Sequence, residues 1–262
     1  MISFTAAELS ALIAGFLWPF ARVAALVAAA PVLGNVGVPR RVKLLLAIGV
    51  TAAVAPLAGP LPPVEPWSAS GLAILVRQMM IGAAMGLTVR LVFAMIDVAG
   101  EVTGLQMGLG FATFFDPQHR TQSPVVPQFL GLLAALVFLG INGHLMLLAA
   151  LAESFHALPL GSDGFGAPAW QALAEAGSRM FASGLLLALP AVVALLISNV
   201  ALGILTRAAP QLNLFAVGFP VTILVGWLVL ALSLPALAPF FTHAFEDALR
   251  MMLQPLGSPS RG

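Results

Sequence analysis

The chain has 262 residues, 60% of them hydrophobic and only 8% charged, with a formal net charge of +1 and a mean hydropathy of +1.04. A soluble domain carries roughly 25% charged residues and about 45–50% apolar ones, so this chain lacks the polar residues to cover a water-facing surface. Its hydrophobicity excludes disorder, its balanced charge leaves no footprint for nucleic acid, and the absence of cysteine removes disulfides and thiol chemistry.

What remains is an all-α integral membrane protein. A helix that crosses a bilayer needs about 20 mostly apolar residues. Six stretches meet or approach that length: Leu9–Leu33, Val42–Leu57, Leu72–Ile96, Val125–Leu151, Met180–Leu205 and Leu214–Leu234. The second is short for a span. None alternates with the period of two that marks a membrane barrel. The first residues carry Glu8 and no basic residue, and the first stretch is longer than a signal core, so the N-terminus does not read as a secretory signal.

The connections differ in character. Residues 31–43 hold Pro39, Arg40, Arg41 and Lys43, residues 59–67 read GPLPPVEPW, and Arg120 and Arg207 fall in later alternate connections. Basic residues favour cytoplasmic loops, which with six spans puts both termini outside. Prolines fall inside the apolar runs at Pro19, Pro56, Pro190, Pro220 and Pro235. Proline kinks or breaks helices, so bent helices enclosed by protein are expected. After Pro239 the sequence reads as a short amphipathic helix with Phe241, Phe245, Leu249 and Met252 on one face, suited to a bilayer surface or a partner.

The search for catalytic chemistry is nearly empty. The sequence has no G-x-S-x-G, no H-E-x-x-H and no phosphate-binding lysine loop. His119, His144, His156 and His243 are scattered without metal-ligand spacing. No catalytic residue, metal ligand or cofactor site is expected. His144 reads as a hydrogen-bonded structural residue.

Charges within the apolar runs say more. Arg22, Arg77 and Arg90 lie inside them, and a cation at mid-bilayer costs ~2.5–3.5 kcal/mol even on the mildest scale. Arg90, Asp97 and Glu101 are spaced by seven and four residues and so share one helix face. They read as buried charges paired with each other or with a partner chain, rather than as a track for ions. Gly82 and Gly86, then Gly100, Gly104 and Gly108, recur at spacing four, which allows helices to approach closely.

The oddest segment is residues 100–122, GEVTGLQMGLGFATFFDPQHRTQ. It is too polar to span and too apolar to be an idle loop. Phe111, Phe114 and Phe115 need cover, and a long irregular segment of this kind is usually functional.

Four stretches carry a family resemblance: residues 16–47 (FLWPFARVAALVAAAPVLGNVGVPRRVKLLLA), residues 100–117 (GEVTGLQMGLGFATFFDP), residues 138–148 (FLGINGHLMLL) and residues 202–226 (LGILTRAAPQLNLFAVGFPVTILVG). In this order and over nearly the whole chain they resemble the FliR family of the flagellar type III export gate. The resemblance implies a FliP-like part over 1–177 and a FliQ-like helical hairpin plus amphipathic tail over 178–262. It implies a hetero-oligomeric complex with FliP and FliQ around a pore for unfolded flagellar subunits. FlhB would pack outside, and much of the chain would lie on the periplasmic side of the bacterial inner membrane. A pore plug over about 106–122 is implied by the same resemblance, with Gln106, Met107, Gly108, Leu109, Gly110, Phe111, Phe114, Phe115, Asp116 and Pro117. Arg207, Pro210, Gln211 and Asn213 match the turn of the hairpin. By the resemblance the apparent spans are bent, and not every one crosses the bilayer. Three rival readings stay open on the residues: an injectisome export-gate homologue, a secondary transporter, which predicts an internal repeat that is not visible, and a membrane-embedded enzyme.

Overall fold

The computed structural model describes residues 6–111, 124–162, 166–209 and 214–257, with the backbone alone at 6, 7, 111, 214–216 and 253–257. The elements are α1 (Ala6–Ala29), α2 (Arg40–Val54) followed by a 3-10 turn (Ala55–Leu57), α3 (Ala69–Gln106) followed by a 3-10 turn (Leu109–Phe111), α4 (Val125–Gly140), α5 (Gly143–Ala157), α6 (Ala167–Ala208) and α7 (Leu214–Gly257). Among the described residues there is no strand. The protein is all-α, as its composition requires.

Each apolar stretch becomes a helix, with one exception. Val125–Leu151 divides into α4 and α5 at Ile141–Asn142. Asn142 has φ 58°, a left-handed backbone that no helix can continue through and that asparagine tolerates better than most residues. Its carbonyl then accepts the N–H groups of Leu145 and Met146, at 2.9 and 3.1 Å, and α5 starts again from there. The prolines within the long helices do not break them. Pro19, Pro190, Pro220, Pro235 and Pro239 all lie within continuous helices, and Pro56 alone of those named sits at a helix end. Each removes one N–H and frees one carbonyl, a loss that packing along the rest of a long helix outweighs. The amphipathic tail is accordingly no separate element: it is the C-terminal part of α7.

Among the described residues four helices are long and apolar enough to cross a membrane, α1, α3, α6 and α7, and the broken pair α4–α5 makes a fifth if counted as one span. At 15 residues, α2 reaches only about 22 Å at 1.5 Å per residue, short of the ~30 Å hydrocarbon core. The 42 residues of α6 and 44 of α7 follow a path of about 63–66 Å, twice that thickness. The six apparent spans thus reduce to four or five.

Local chemistry sets some helix ends. Glu8 falls in the first turn of α1, where the helix dipole favours an acid. The first turn of α2 holds Arg40, Arg41 and Lys43, against that preference. Lys43 finds compensation, its Nζ donating to the Gly34 carbonyl at 2.8 Å.

The helices contribute to two compact units: Met1–Leu91 with Asn142–Gly177 and Phe245–Gly262, and Val92–Ile141 with Ser178–Ala244. In the first unit α1 meets α3 at glycine. A side chain on Gly82 would run into the Arg22 backbone carbonyl, and one on Gly86 would come 2.6 Å from Ala29 Cβ. Trp18, fully buried, donates from Nε1 to the Gly71 carbonyl at 3.3 Å. Phe245, Leu249 and Met252 of α7 are buried here, so the apolar face of the tail is covered by its own chain. Glu246 and Arg250 pair on its exposed side at 3.7 Å. In the second unit a side chain on Gly100 of α3 would meet Pro127 of α4, and one on Gly184 of α6 would come 2.7 Å from the Met95 carbonyl. Phe129 of α4 packs edge-on against Trp227 of α7 with ring centroids 5.4 Å apart.

Candidate functional site

The segment that the sequence singles out begins where α3 ends, and its first residues are held by α7. Met107 is fully buried. The Thr222 hydroxyl donates to the Met107 carbonyl at 3.0 Å and lies 3.1 Å from the carbonyl of Phe219, one turn back in its own helix. The Met107 side chain fills the notch left by the missing side chain of Gly226: a Cβ there would lie 2.5 Å from Met107 Cγ and 2.7 Å from Sδ. Gly108 follows with φ 82°, a conformation that glycine adopts without steric cost. The Phe219 ring sits against it, so that a Cβ on Gly108 would come 2.7 Å from Cε1. The chain then makes the short turn at Leu109–Phe111, with Leu109 and Gly110 half-buried. Gln106 closes α3, also half-buried. Phe111 is described in its backbone only, and Phe114, Phe115, Asp116 and Pro117 lie outside the described residues.

In the other unit Arg22 is a cation with no acid partner among the described residues. It is fully buried. Nε donates to Gln78 Oε1 at 2.7 Å, Nη1 to the Ser154 carbonyl at 2.8 Å and to its Oγ at 3.0 Å, and Nη2 to the Leu158 carbonyl at 2.7 Å. The guanidinium carbon lies 4.2 Å from the centroid of the Phe155 ring. Neutral dipoles and an aromatic face thus replace a counter-ion, a set of partners that satisfies the fork geometry of arginine. α1, α3 and α5 are tied together by one side chain. Arg77 is half-buried, and its Nη1 donates to the Ser162 carbonyl.

Arg90, Asp97 and Glu101 share a face of α3 as their spacing predicts, but they are exposed, and no ion pair links them among the described residues. In the chain taken by itself they are not enclosed; Asp97 approaches α4, where a Cβ on Gly131 would lie 3.8 Å from its Oδ1. Arg207 is exposed in the last turn of α6. Pro210, Gln211 and Asn213 lie outside the described residues. His144 does not fit its expected hydrogen-bonded role, since its Nδ1 is enclosed with no partner among the described residues.

Sequence reasoning missed Gln78 and Ser154 around Arg22, and Thr222 and Gly226 around Met107. A signal existed for Gln78 and Thr222: each is a polar residue inside an apolar run, and both prove buried. Their partners lie 56 and 115 residues away, beyond any local pattern. The described residues hold no group of three or more acidic or histidine side chains able to bind a metal. A recess between Ala84, Thr88, Leu173 and Met252 is apolar except for Thr88, whose hydroxyl is taken up by the Ala84 carbonyl of its own helix.

Large apolar side chains remain uncovered on α6 and α7. Only 17% and 22% of their apolar stretches are buried, against 56% for α3. Leu186, Ile197 and Ile204 on α6, and Leu224 and Leu232 on α7, are among the most exposed. Such faces belong in lipid or against other apolar chains.

Residues 13–248 match the family model described as bacterial export proteins, family 1. The chain is similar to the flagellar biosynthetic protein FliR of Escherichia coli (strain K12), 45% identical over 237 residues that cover 90% of each chain. It is 43% identical to the FliR protein of Pectobacterium carotovorum subsp. carotovorum over 252 residues, 96% of each. With FliR of Aquifex aeolicus (strain VF5) it shares 30% over 221 residues, 84% of this chain and 85% of that one. Helices made for a membrane and a match along nearly the whole chain lead to one conclusion: the chain belongs to the bacterial export proteins of family 1, among the FliR flagellar biosynthetic proteins.

Proposed function

We propose that this chain is the FliR-type subunit of a flagellar type III export gate in the bacterial inner membrane. It joins FliP and FliQ around a pore that passes unfolded flagellar subunits out of the cytoplasm, with FlhB against the outside. The observation that carries the reading is the anchoring of Met107 on α7 at the root of the glycine- and phenylalanine-rich segment. A segment tied at its root, bendable at its glycines and sealed by aromatics suits a plug over about 106–122. The large uncovered apolar faces of α6 and α7, and the exposed Arg90, Asp97 and Glu101 on a membrane-type helix, support contact with partner chains.

The two longest helices, joined across residues 209–213, fit a FliQ-like hairpin over 178–262 that turns at Arg207, Pro210, Gln211 and Asn213. Residues 1–177 are then the FliP-like part. Helical paths twice the bilayer core support a chain that extends beyond it, on the periplasmic side. The relatives are named for flagellar biosynthesis, which supports a structural role without catalysis and favours the flagellar machine over the injectisome.

Two measurements test this. Co-expressed with FliP and FliQ and weighed intact by native mass spectrometry, the tagged chain is expected as one copy with several of each partner. A stable lone monomer or homodimer refutes the gate. A chain lacking Gly108–Phe115 is expected to raise ion leak through the assembled gate, and no increase refutes the plug.

A further inference from the structure

Three residues of α7 converge on two residues just past the end of α3, Met107 and Gly108, all within the second compact unit. Thr222 holds the Met107 carbonyl, Gly226 leaves room for its side chain, and the Phe219 ring lies on Gly108. Met107 N–H is already bonded to the Thr103 carbonyl at 3.0 Å, so the residue just past the helix has both its backbone groups engaged. The Thr222 hydroxyl is 3.1 Å from the Phe219 carbonyl, the geometry of a hydroxyl shared between its own helix and a neighbour. This is an odd use for threonine. A hydroxyl in an apolar helix ordinarily bonds back to its own helix only, as Thr88 and Thr103 do in α3.

We propose that Thr222, Gly226 and Phe219 form a seat for Met107 that sets where the chain leaves α3. Met107 is a positioning residue, and the seat is the link by which a displacement of α7 reaches the segment after Gly108. The proposal rests on the export-gate reading given above. It goes further in assigning the control of that segment's root to three residues about 115 positions away in sequence.

The test uses the chain assembled with FliP and FliQ in cells. It follows three readouts: the amount of intact complex, the export of flagellar subunits and ion leak. Thr222→Val keeps the shape and removes the hydroxyl. With the complex undiminished, it is expected to raise leak roughly fivefold, the equivalent of about 1 kcal/mol for one neutral buried hydrogen bond. Gly226→Ala places a methyl group in the space of Met107 and is expected to lower export further. Met107→Ala added to Gly226→Ala is expected to restore export, because the shortened side chain vacates that space. A merely structural role would lower the amount of intact complex in parallel with export. The chain lacking Gly108–Phe115 serves as control. If it leaks while Thr222→Val and Gly226→Ala behave as wild type, the seat is refuted and the gate reading stands. If the control does not leak, the plug reading falls, and rescue of export alone decides: rescue supports the seat, and its absence refutes it. If Gly226→Ala prevents assembly, the Thr222→Val result decides.

Discussion

Replacing Arg22 by methionine tests the account of the first unit most directly. The substitution keeps an unbranched side chain and removes every donor. Four acceptor contacts vanish: Gln78 Oε1, the Ser154 carbonyl and hydroxyl, and the Leu158 carbonyl. They are not equivalent. The Ser154 carbonyl still accepts the N–H of Leu158 at 2.9 Å, and the Ser154 hydroxyl still donates to the Leu151 carbonyl at 2.7 Å. Gln78 Oε1 and the Leu158 carbonyl have no other partner among the described residues. Two orphaned acceptors at ~1–3 kcal/mol each predict a loss of about 2–6 kcal/mol. Against this stands relief of the guanidinium's own desolvation, which amounts to several kcal/mol for a buried ion. The sign is decided by geometry. The four contacts at 2.7–3.0 Å already compensate the charge, so removing the cation recovers little while both acceptors are stranded. The net expectation is ~2–4 kcal/mol of destabilisation. Thermal unfolding of the purified complex in detergent reads the effect, together with the steady-state amount of chain in the membrane. A second substitution, Gln78→Leu in the Arg22→Met background, removes one orphan and is expected to recover part of the loss. Wild-type stability in the single variant, or no recovery in the double, would show that the network ties nothing together.

Gly82→Ala forces a methyl group against the Arg22 backbone, which cannot retreat as a side-chain tip can. Overpacking of this kind predicts ~1–3 kcal/mol of lost stability, read by the same unfolding assay. Gly49→Ala and Gly203→Ala meet nothing within 4 Å, so both are expected to be neutral or to stabilise by up to about 1 kcal/mol through helix propensity; equal effects at all three glycines would remove the packing explanation. Trp18→Phe keeps the buried ring and loses the bond to the Gly71 carbonyl, predicting a loss of about 1 kcal/mol, with no change as the contrary result. At Asn142, glycine is expected to be tolerated and alanine to cost about 1 kcal/mol, since only the former adopts a left-handed backbone freely. Indistinguishable unfolding of these two variants would mean that the break between α4 and α5 is not held by that conformation.

The uncovered surfaces follow from the same arithmetic as the buried ones. A chain with 60% hydrophobic residues leaves many of them uncovered among its described helices, with α6 and α7 the least buried of the long ones. An apolar face on a helix about 63 Å long is matched by lipid over only half its length.

Much of the molecule was legible before any coordinates. Composition determined the class, and the length of the apolar runs determined where helices lie, because a backbone in hydrocarbon must satisfy itself and the helix does so locally. Spacing placed Phe245, Leu249 and Met252 on one face and Gly82 and Gly86 at a helix contact. The motif strings carried the family. Tertiary structure alone decided the rest, because the forces at issue are not local. Proline strain competes with packing along the whole helix, and packing prevailed at Pro19, Pro190, Pro220, Pro235 and Pro239. The break that did form hangs on the backbone angle of Asn142, which no hydropathy pattern records. The charges inside spans look alike in sequence, yet Arg22 is enclosed by Gln78, Ser154, Phe155 and Leu158 while Arg90, Asp97 and Glu101 stay open. What separates them is whether neutral acceptors from distant segments converge on the charge, and only the folded chain brings those segments together.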